Sequence, residues 1–183
     1  MAKKSTRNTR GRIVSAAWKL FYEQGYEDTT VEEIIELSGT SKGSFYHYFD
    51  GKDALLSTLS SLFDEKYEEL TGLLTPEMTA MEQLLFLNRE LFHMIEDSIS
   101  LDLLARLYST QLTTNGEKHL LDHNRIYYKL LRKIIAKGQA EGQLSSRSNV
   151  NEMVKLYALC ERALLYDWCL CAGEYALTEY SAK

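Results

Sequence analysis

The chain has 183 residues, enough for one domain or two small ones sharing a core. Its 45% of apolar residues excludes a disordered chain, Pro76 is its only proline, and alternating β-branched runs are few, so the class expected is all-α. The net charge of −5 is unevenly placed: residues 1–19 carry Lys3, Lys4, Arg7, Arg10, Arg12 and Lys19 and no acid, which leaves the acidic excess to the rest.

The first helix is expected from Thr9 to Gln24, where Ile13, Ala16, Ala17, Leu20 and Phe21 recur at helical spacing and Gly25 supplies a stop. Thr30 and Glu33 then form a capping box, in which hydroxyl and carboxylate satisfy backbone N–H groups at a helix start, and Val31, Ile34 and Ile35 give that short helix its apolar face. Ser38-Gly39-Thr40 breaks it, because glycine adopts the backbone angles of a sharp turn. A second helix follows from Ser41 to Phe49, with Phe45 and Phe49 inward and Lys42, Gly43, Ser44, Tyr46, His47 and Tyr48 left for other directions. Helix, glycine turn and helix make a helix-turn-helix, whose second helix enters the DNA major groove in proteins that use it so. From pattern alone the same hairpin equally serves as a packing unit of any all-α fold.

The block SKGSFYHYF with the GKDALL that follows resembles the DNA-binding domain of the TetR family of transcriptional regulators, over about Thr9 to Leu62. The resemblance implies an N-terminal three-helix DNA-binding domain, here residues 1–51, and a C-terminal helical ligand-binding and dimerisation domain, residues 52–183, about nine helices in all. The DNA-contacting set is then Lys3, Lys4 and Arg7 of the basic arm, Thr30, Thr40, Ser41, Lys42, Gly43, Ser44, Tyr46, His47 and Tyr48 of the motif, and Lys52 after it. Lys52 stands in the first turn of a helix, where the dipole disfavours a cation unless an anion such as a phosphate is near.

That fourth helix is expected from Gly51 or Lys52 to about Thr71, roughly 30 Å long, with Leu55, Leu59, Leu62, Phe63 and Leu70 on its apolar side. A break around Gly72 and Pro76 precedes a capping box of Thr79 and Glu82, which opens a helix to about Glu96 with Leu84, Leu85, Leu91, Phe92 and Ile95 in its stripe. Asn88 is the one amide in that row and needs a partner, a side chain or a ligand. Ser100 to Leu112 reads as a shorter helix with Leu101, Leu104 and Tyr108 inward. The next is expected from Asn115 to Glu141, with His123 and Tyr127 four apart on one side. Phe63, Asn88, Phe92, Tyr108, His123 and Tyr127 are therefore the candidate ligand-binding residues.

The last long helix, from about Asn149 to Ala172, has two apolar rows: Met153, Tyr157, Cys160, Leu164 and Trp168, and Leu156, Leu159, Ala163, Tyr166 and Leu170. One row is expected to meet a second subunit, with Leu159, Ala163, Tyr166 and Leu170 as the interface. The family resemblance implies a four-helix dimer interface, although residues 174–183 make only about half of its usual final helix. The spacing of Cys160, Cys169 and Cys171 fits neither a disulfide framework nor a four-ligand zinc site, and His119 with His123 lacks a third ligand. No cofactor, metal or catalytic residue is expected, since no nucleophile elbow or phosphate-binding glycine loop occurs.

The resulting expectation is a non-enzymatic, cytoplasmic homodimer with no membrane span, a repressor that binds a palindromic DNA operator and is released by an unknown small-molecule effector. The rival is a helical small-molecule-binding or enzymatic protein whose N-terminal module binds a protein, and the overall acidity is its best argument. Screening answers it, since charge acts over only about 8–10 Å at ordinary salt and the basic residues are regional.

Overall fold

The computed structural model describes residues 2–113 and 118–181, with side chains from Thr9 onward. Every regular element among them is helical, as expected, and the chain divides into two compact units, residues 1–59 and 60–183. No helix among the described residues is long and apolar enough to cross a membrane.

The first unit holds α1 (Ala2–Gln24), α2 (Val31–Ser38), α3 (Lys42–Tyr48) and α4 (Lys52–Leu56). Its core is Ile13, Ala17, Phe21, Tyr26, Ile34, Phe45, Phe49, Leu55 and Leu59, all buried. α1 stops where Gly25 takes φ +88°, and α2 opens on the capping box: Glu33 N–H donates to Thr30 Oγ1 at 3.2 Å and Thr30 N–H to Glu33 Oε2 at 2.8 Å. Gly39, at φ 60° and ψ 37°, closes α2, with Thr40 N–H reaching back to the Ile35 carbonyl at 3.1 Å. Ser41 caps α3 by accepting from Ser44 N–H at 3.1 Å.

The single long fourth helix of the sequence reading is two segments. α4 ends at Leu56 and α5 (Leu59–Thr71) begins after a turn at Ser57 and Thr58. Both hydroxyls bond carbonyls three residues back, Ser57 to Ala54 at 2.7 Å and Thr58 to Leu55 at 2.5 Å, which offers the backbone an alternative to the helical ladder. Thr58 Oγ1 also accepts from Trp18 Nε1 on α1 at 2.9 Å, so α4 belongs with the first unit and the division falls after Leu59 rather than before Lys52.

The second unit continues with α6 (Ala80–Ser98), α7 (Leu101–Thr113), a 3-10 turn (His119–Leu121), α8 (Ile126–Ala140), α9 (Val150–Leu170) and α10 (Leu177–Ser181). The expected start of the seventh helix at Asn115 lies outside the described residues. The capping box of Thr79 and Glu82 is present, and another, of Asn149 and Glu152, opens α9. Leu84, Leu91, Phe92 and Ile95 of α6 are buried as expected, whereas Leu85 is half exposed. α6 and α8 approach closely at Gly138, where an added Cβ would stand 2.5 Å from the Ala80 Cβ.

The inward row of α9 is Val154, Ala158, Glu161, Leu165 and Trp168, one step around the helix from the row expected through Met153, Tyr157, Cys160 and Leu164. The second expected row points away from the unit, with Leu156 61% and Leu170 66% exposed. Glu96 fastens the start of α10, accepting from Leu177 N–H at 2.5 Å and Thr178 Oγ1 at 2.6 Å.

Candidate functional site

Two places in the molecule carry the candidate residues, one in each unit. In the first, α3 turns Phe45 and Phe49 inward and leaves Ser41, Lys42, Gly43, Tyr46 and His47 exposed on its other side, with Ser44 and Tyr48 half-buried. The hydroxyls at the turn are already ordered, Ser38 with Thr40 at 2.8 Å and Ser41 with Ser44 at 2.9 Å. The Thr30 hydroxyl is held by the Glu33 carboxylate at 2.8 Å. Lys42 makes an exposed pair with Glu32 at 3.5 Å, which contributes little to stability and leaves the ammonium available. The rings of His47 and Tyr48 pack edge to face at 4.7 Å, which limits the directions either can take.

An added Cβ on Gly43 would meet nothing within 4 Å among the described residues, so this glycine answers to no packing requirement there. Arg10 and Arg12 of α1 are exposed. The side chains of Lys3, Lys4 and Arg7 lie outside the described residues.

Lys52 departs from the expectation of a lysine standing free at a helix start. Its Nζ donates to the carbonyls of Tyr26 at 2.7 Å, Glu27 at 3.1 Å and Thr29 at 3.0 Å, and lies 4.4 Å from the Tyr26 ring centre. The loop carbonyls supply the negative partner that the helix start calls for, so a lysine there implies no external anion.

In the second unit a cavity of about 40 Å³ lies between α5, α6, α7, α8 and α9. Three expected residues, Phe63, Tyr108 and Tyr127, line it together with Tyr67, Arg125, Glu161 and Arg162. Its polar centre is Glu161, 5% exposed, which accepts from Asn88 Nδ2 at 3.0 Å and from the Tyr127 hydroxyl. Burial raises the Glu161 carboxyl above its ordinary value, while the bonds from Tyr127, Asn88 and Tyr157 and the nearby Arg162 oppose the rise.

Tyr67 stacks on Tyr127 at 5.0 Å, and burial raises its phenol well above the usual range. Its hydroxyl is the one buried side-chain polar atom among the described residues without a hydrogen-bond partner. Arg125 is matched by Asp64, two bonds of 3.0 Å, and Arg162 donates to the Tyr128 hydroxyl at 3.1 Å.

Asn88 thus acts on the cavity through Glu161, and it also lines an open groove of about 550 Å³ with Leu85, Phe86, Arg89 and Thr178. Two expected ligand residues are elsewhere. Phe92 is wholly buried in the core. His123 is exposed and packs on Tyr128 at 4.6 Å, because the chain around it is not helical before Ile126 and the i, i+4 pairing with Tyr127 does not arise. Glu161, Tyr67, Arg125 and Arg162 were missed. Glu161 had a signal: it is the single acid in an otherwise apolar row at 154, 158, 161, 165 and 168. On the outer face of α9, Leu159, Ala163, Tyr166 and Leu170 are all exposed.

Residues 13–59 match the family model of bacterial regulatory proteins, tetR family. The HTH-type transcriptional regulator TtgR of Pseudomonas putida is 34% identical over 68 residues, which are 37% of this chain and 32% of TtgR, so the chain spans less than a third of that relative's length. YvdT, an HTH-type transcriptional regulator of Bacillus subtilis, is 26% identical over 147 residues, 80% of this chain and 75% of YvdT. The crystal structure of Thermus thermophilus FadR, a TetR family transcriptional repressor in complex with lauroyl-CoA, matches 93% of this chain and 88% of its own at a TM-score of 0.77 and 25% identity. With the helix-turn-helix in the first unit and an all-helical second unit, the chain is similar to TetR family transcriptional regulators, in residues 13–59 by the family model and in its fold by the FadR structure.

Proposed function

We propose that the protein is a ligand-responsive transcriptional repressor, a cytoplasmic homodimer without catalytic activity that binds a palindromic DNA operator and is released by a small-molecule effector. The observation that carries this reading is the outer face of α3, where Lys42, Gly43, Tyr46 and His47 are exposed while Phe45 and Phe49 hold the helix to the core. In the major groove such a face supplies base contacts from Tyr46 and His47, with hydroxyls and Lys42 toward phosphates. Lys3, Lys4 and Arg7 follow the phosphate strand, and Thr30, Thr40, Ser41, Ser44 and Tyr48 position the reading helix.

The exposed row Leu159, Ala163, Tyr166 and Leu170 gives the dimer its natural seam, because a helix apolar on both faces buries the second against another chain. Two reading helices then meet half-sites about 34–36 Å apart. The effector belongs in the cavity around Glu161. About 40 Å³ holds roughly three waters, so a ligand must widen it, and a state that admits ligand differs in affinity from one that does not. Lauroyl-CoA occupies the Thermus thermophilus relative. Here the partnerless Tyr67 hydroxyl and the Glu161 cluster favour a more compact ligand that carries a hydroxyl or amide.

A mobility-shift titration with DNA from upstream of the protein's own gene tests the reading. A salt-dependent shift that a cavity ligand abolishes is expected. Absence of any shift at low salt returns the chain to the rival, a helical small-molecule-binding protein whose N-terminal module binds a protein.

A further inference from the structure

We infer that Lys52 is a positioning residue of the DNA-binding unit, a latch that holds the α1–α2 loop and through it the reading helix, and that it makes no phosphate contact. This rests on the DNA-binding reading above. An ammonium has three N–H donors and no acceptor, and all three donors of Lys52 are engaged by the carbonyls of Tyr26, Glu27 and Thr29, at 2.7, 3.1 and 3.0 Å. A phosphate oxygen would have to displace one of them.

The loop that Lys52 grips runs from Gly25, where α1 stops, to Thr30, which caps α2. Within it, Thr29 N–H to the Tyr26 carbonyl is long at 3.4 Å, the Thr29 hydroxyl reaches the Gly25 carbonyl at 2.7 Å, and Gln24 Nε2 donates to the Asp28 carbonyl at 3.1 Å. α4 holds the same loop a second time, since the Tyr26 hydroxyl donates to the Asp53 carboxylate. The Tyr26 ring lies under the ammonium at 4.4 Å and is 4% exposed, so the charge sits on a buried aromatic face. Releasing the ammonium removes three of the bonds that tie this loop, between the exit of α1 and the cap of α2, to the start of α4. Because α2 is joined to α3 by the tight Gly39 turn, a loop that wanders also moves the reading helix. Lys52 thus acts on DNA by fixing where α2 begins.

The latch is chemically distinct from a phosphate contact in what can replace it. Arginine serves a phosphate as well as lysine does or better, but its donors lie in one plane and cannot converge on three carbonyls around a single nitrogen. The test uses the full chain and a duplex of about 30 base pairs, a length that spans two half-sites, selected by the wild type from random-sequence DNA. Binding of Lys52→Arg and Lys52→Met is measured against salt, and circular dichroism gives the folded fraction.

Both variants are expected to bind about tenfold more weakly per folded molecule, with the slope of log K against log salt unchanged. Wild-type affinity for Lys52→Arg, with a slope lower by about 0.9 in Lys52→Met, overturns the latch in favour of a phosphate contact. A lower folded fraction with unaltered affinity per folded molecule also overturns it, because the role is then stability alone.

A second measurement needs no DNA: acylation of wild-type lysines by acetic anhydride, read by peptide mass spectrometry. The latch predicts slow modification of Lys52 relative to Lys42, whose side chain is 69% exposed. Equal rates overturn it, whereas wild type that binds no duplex while Lys52 stays protected defeats the DNA-binding reading and leaves the loop latch standing.

Discussion

Replacing Glu161 by glutamine should stabilise the protein relative to wild type increasingly as pH rises. In the unfolded chain this carboxyl titrates near 4.5, and in the folded protein burial raises it, against the opposing bonds from Tyr127, Asn88 and Tyr157. The folded state therefore holds its proton more tightly. That contribution to stability is complete below the unfolded value and is lost as pH climbs through the folded one, at about 1.4 kcal/mol for each tenfold weakening of the acid. Glutamine has no proton to lose.

At about pH 4 the folded carboxyl is protonated and, like the amide, offers one acceptor and one donor to Asn88 and Tyr127, so the two proteins should differ little. Toward neutral pH the glutamine variant should move ahead. Urea unfolding of both proteins at several values from about pH 4 to pH 8 measures it. Parallel stability curves across that range would refute the reasoning, because they would mean that Glu161 titrates alike folded and unfolded. Glu161→Leu makes the contrast: it strands the Asn88 amide and the Tyr127 hydroxyl and should cost about 2–5 kcal/mol at every pH.

Gly138→Ala should destabilise by about 1–2 kcal/mol, the overpacking against the Ala80 Cβ at 2.5 Å outweighing the gain in helix propensity, and Ala80→Gly should recover part of the loss in urea melts. Tyr46→Ala and His47→Ala should each change the ranking of operator variants by about 1–3 kcal/mol, read by competition binding; equal weakening on every variant would make them positioning groups. Leu159→Glu with Leu170→Glu should leave helix content unchanged, since both side chains are exposed, and convert the proposed homodimer to monomer in sedimentation experiments.

The readings that the structure repeats are those set by neighbours in sequence. Thr30 with Glu33, Thr79 with Glu82, and Gly39 after α2 each act within a few residues, so the chain carries their geometry locally. Where the outcome depends on distant partners, local pattern is silent. Ser57 and Thr58 read as ordinary helix interior until Trp18 is known to donate to Thr58. α9 is apolar around most of its girth, so periodicity alone chose a row one step from the buried one and passed over Glu161, whose donors come from α6 and α8, 73 and 34 residues away. Lys52 is a similar case, its carbonyl partners lying 23–26 residues earlier.

Three glycines show how a residue's reason can lie inside the chain or outside it. Gly39 is required by its positive φ, and Gly138 by the Ala80 side chain packed against it. Gly43 meets neither condition: its backbone is helical, and an added Cβ would touch nothing among the described residues. In isolation Gly43→Ala should therefore stabilise the protein by about 0.5–1 kcal/mol, the ordinary gain of alanine over glycine inside a helix. If α3 lies against DNA at this position, the same methyl group intrudes where the backbone must come close, and affinity falls while stability rises. Thermal melts and operator titrations on one variant separate the two effects. Stability up with DNA affinity unchanged would show that the backbone at Gly43 does not approach the duplex, and would turn the contact surface toward Tyr46 and His47.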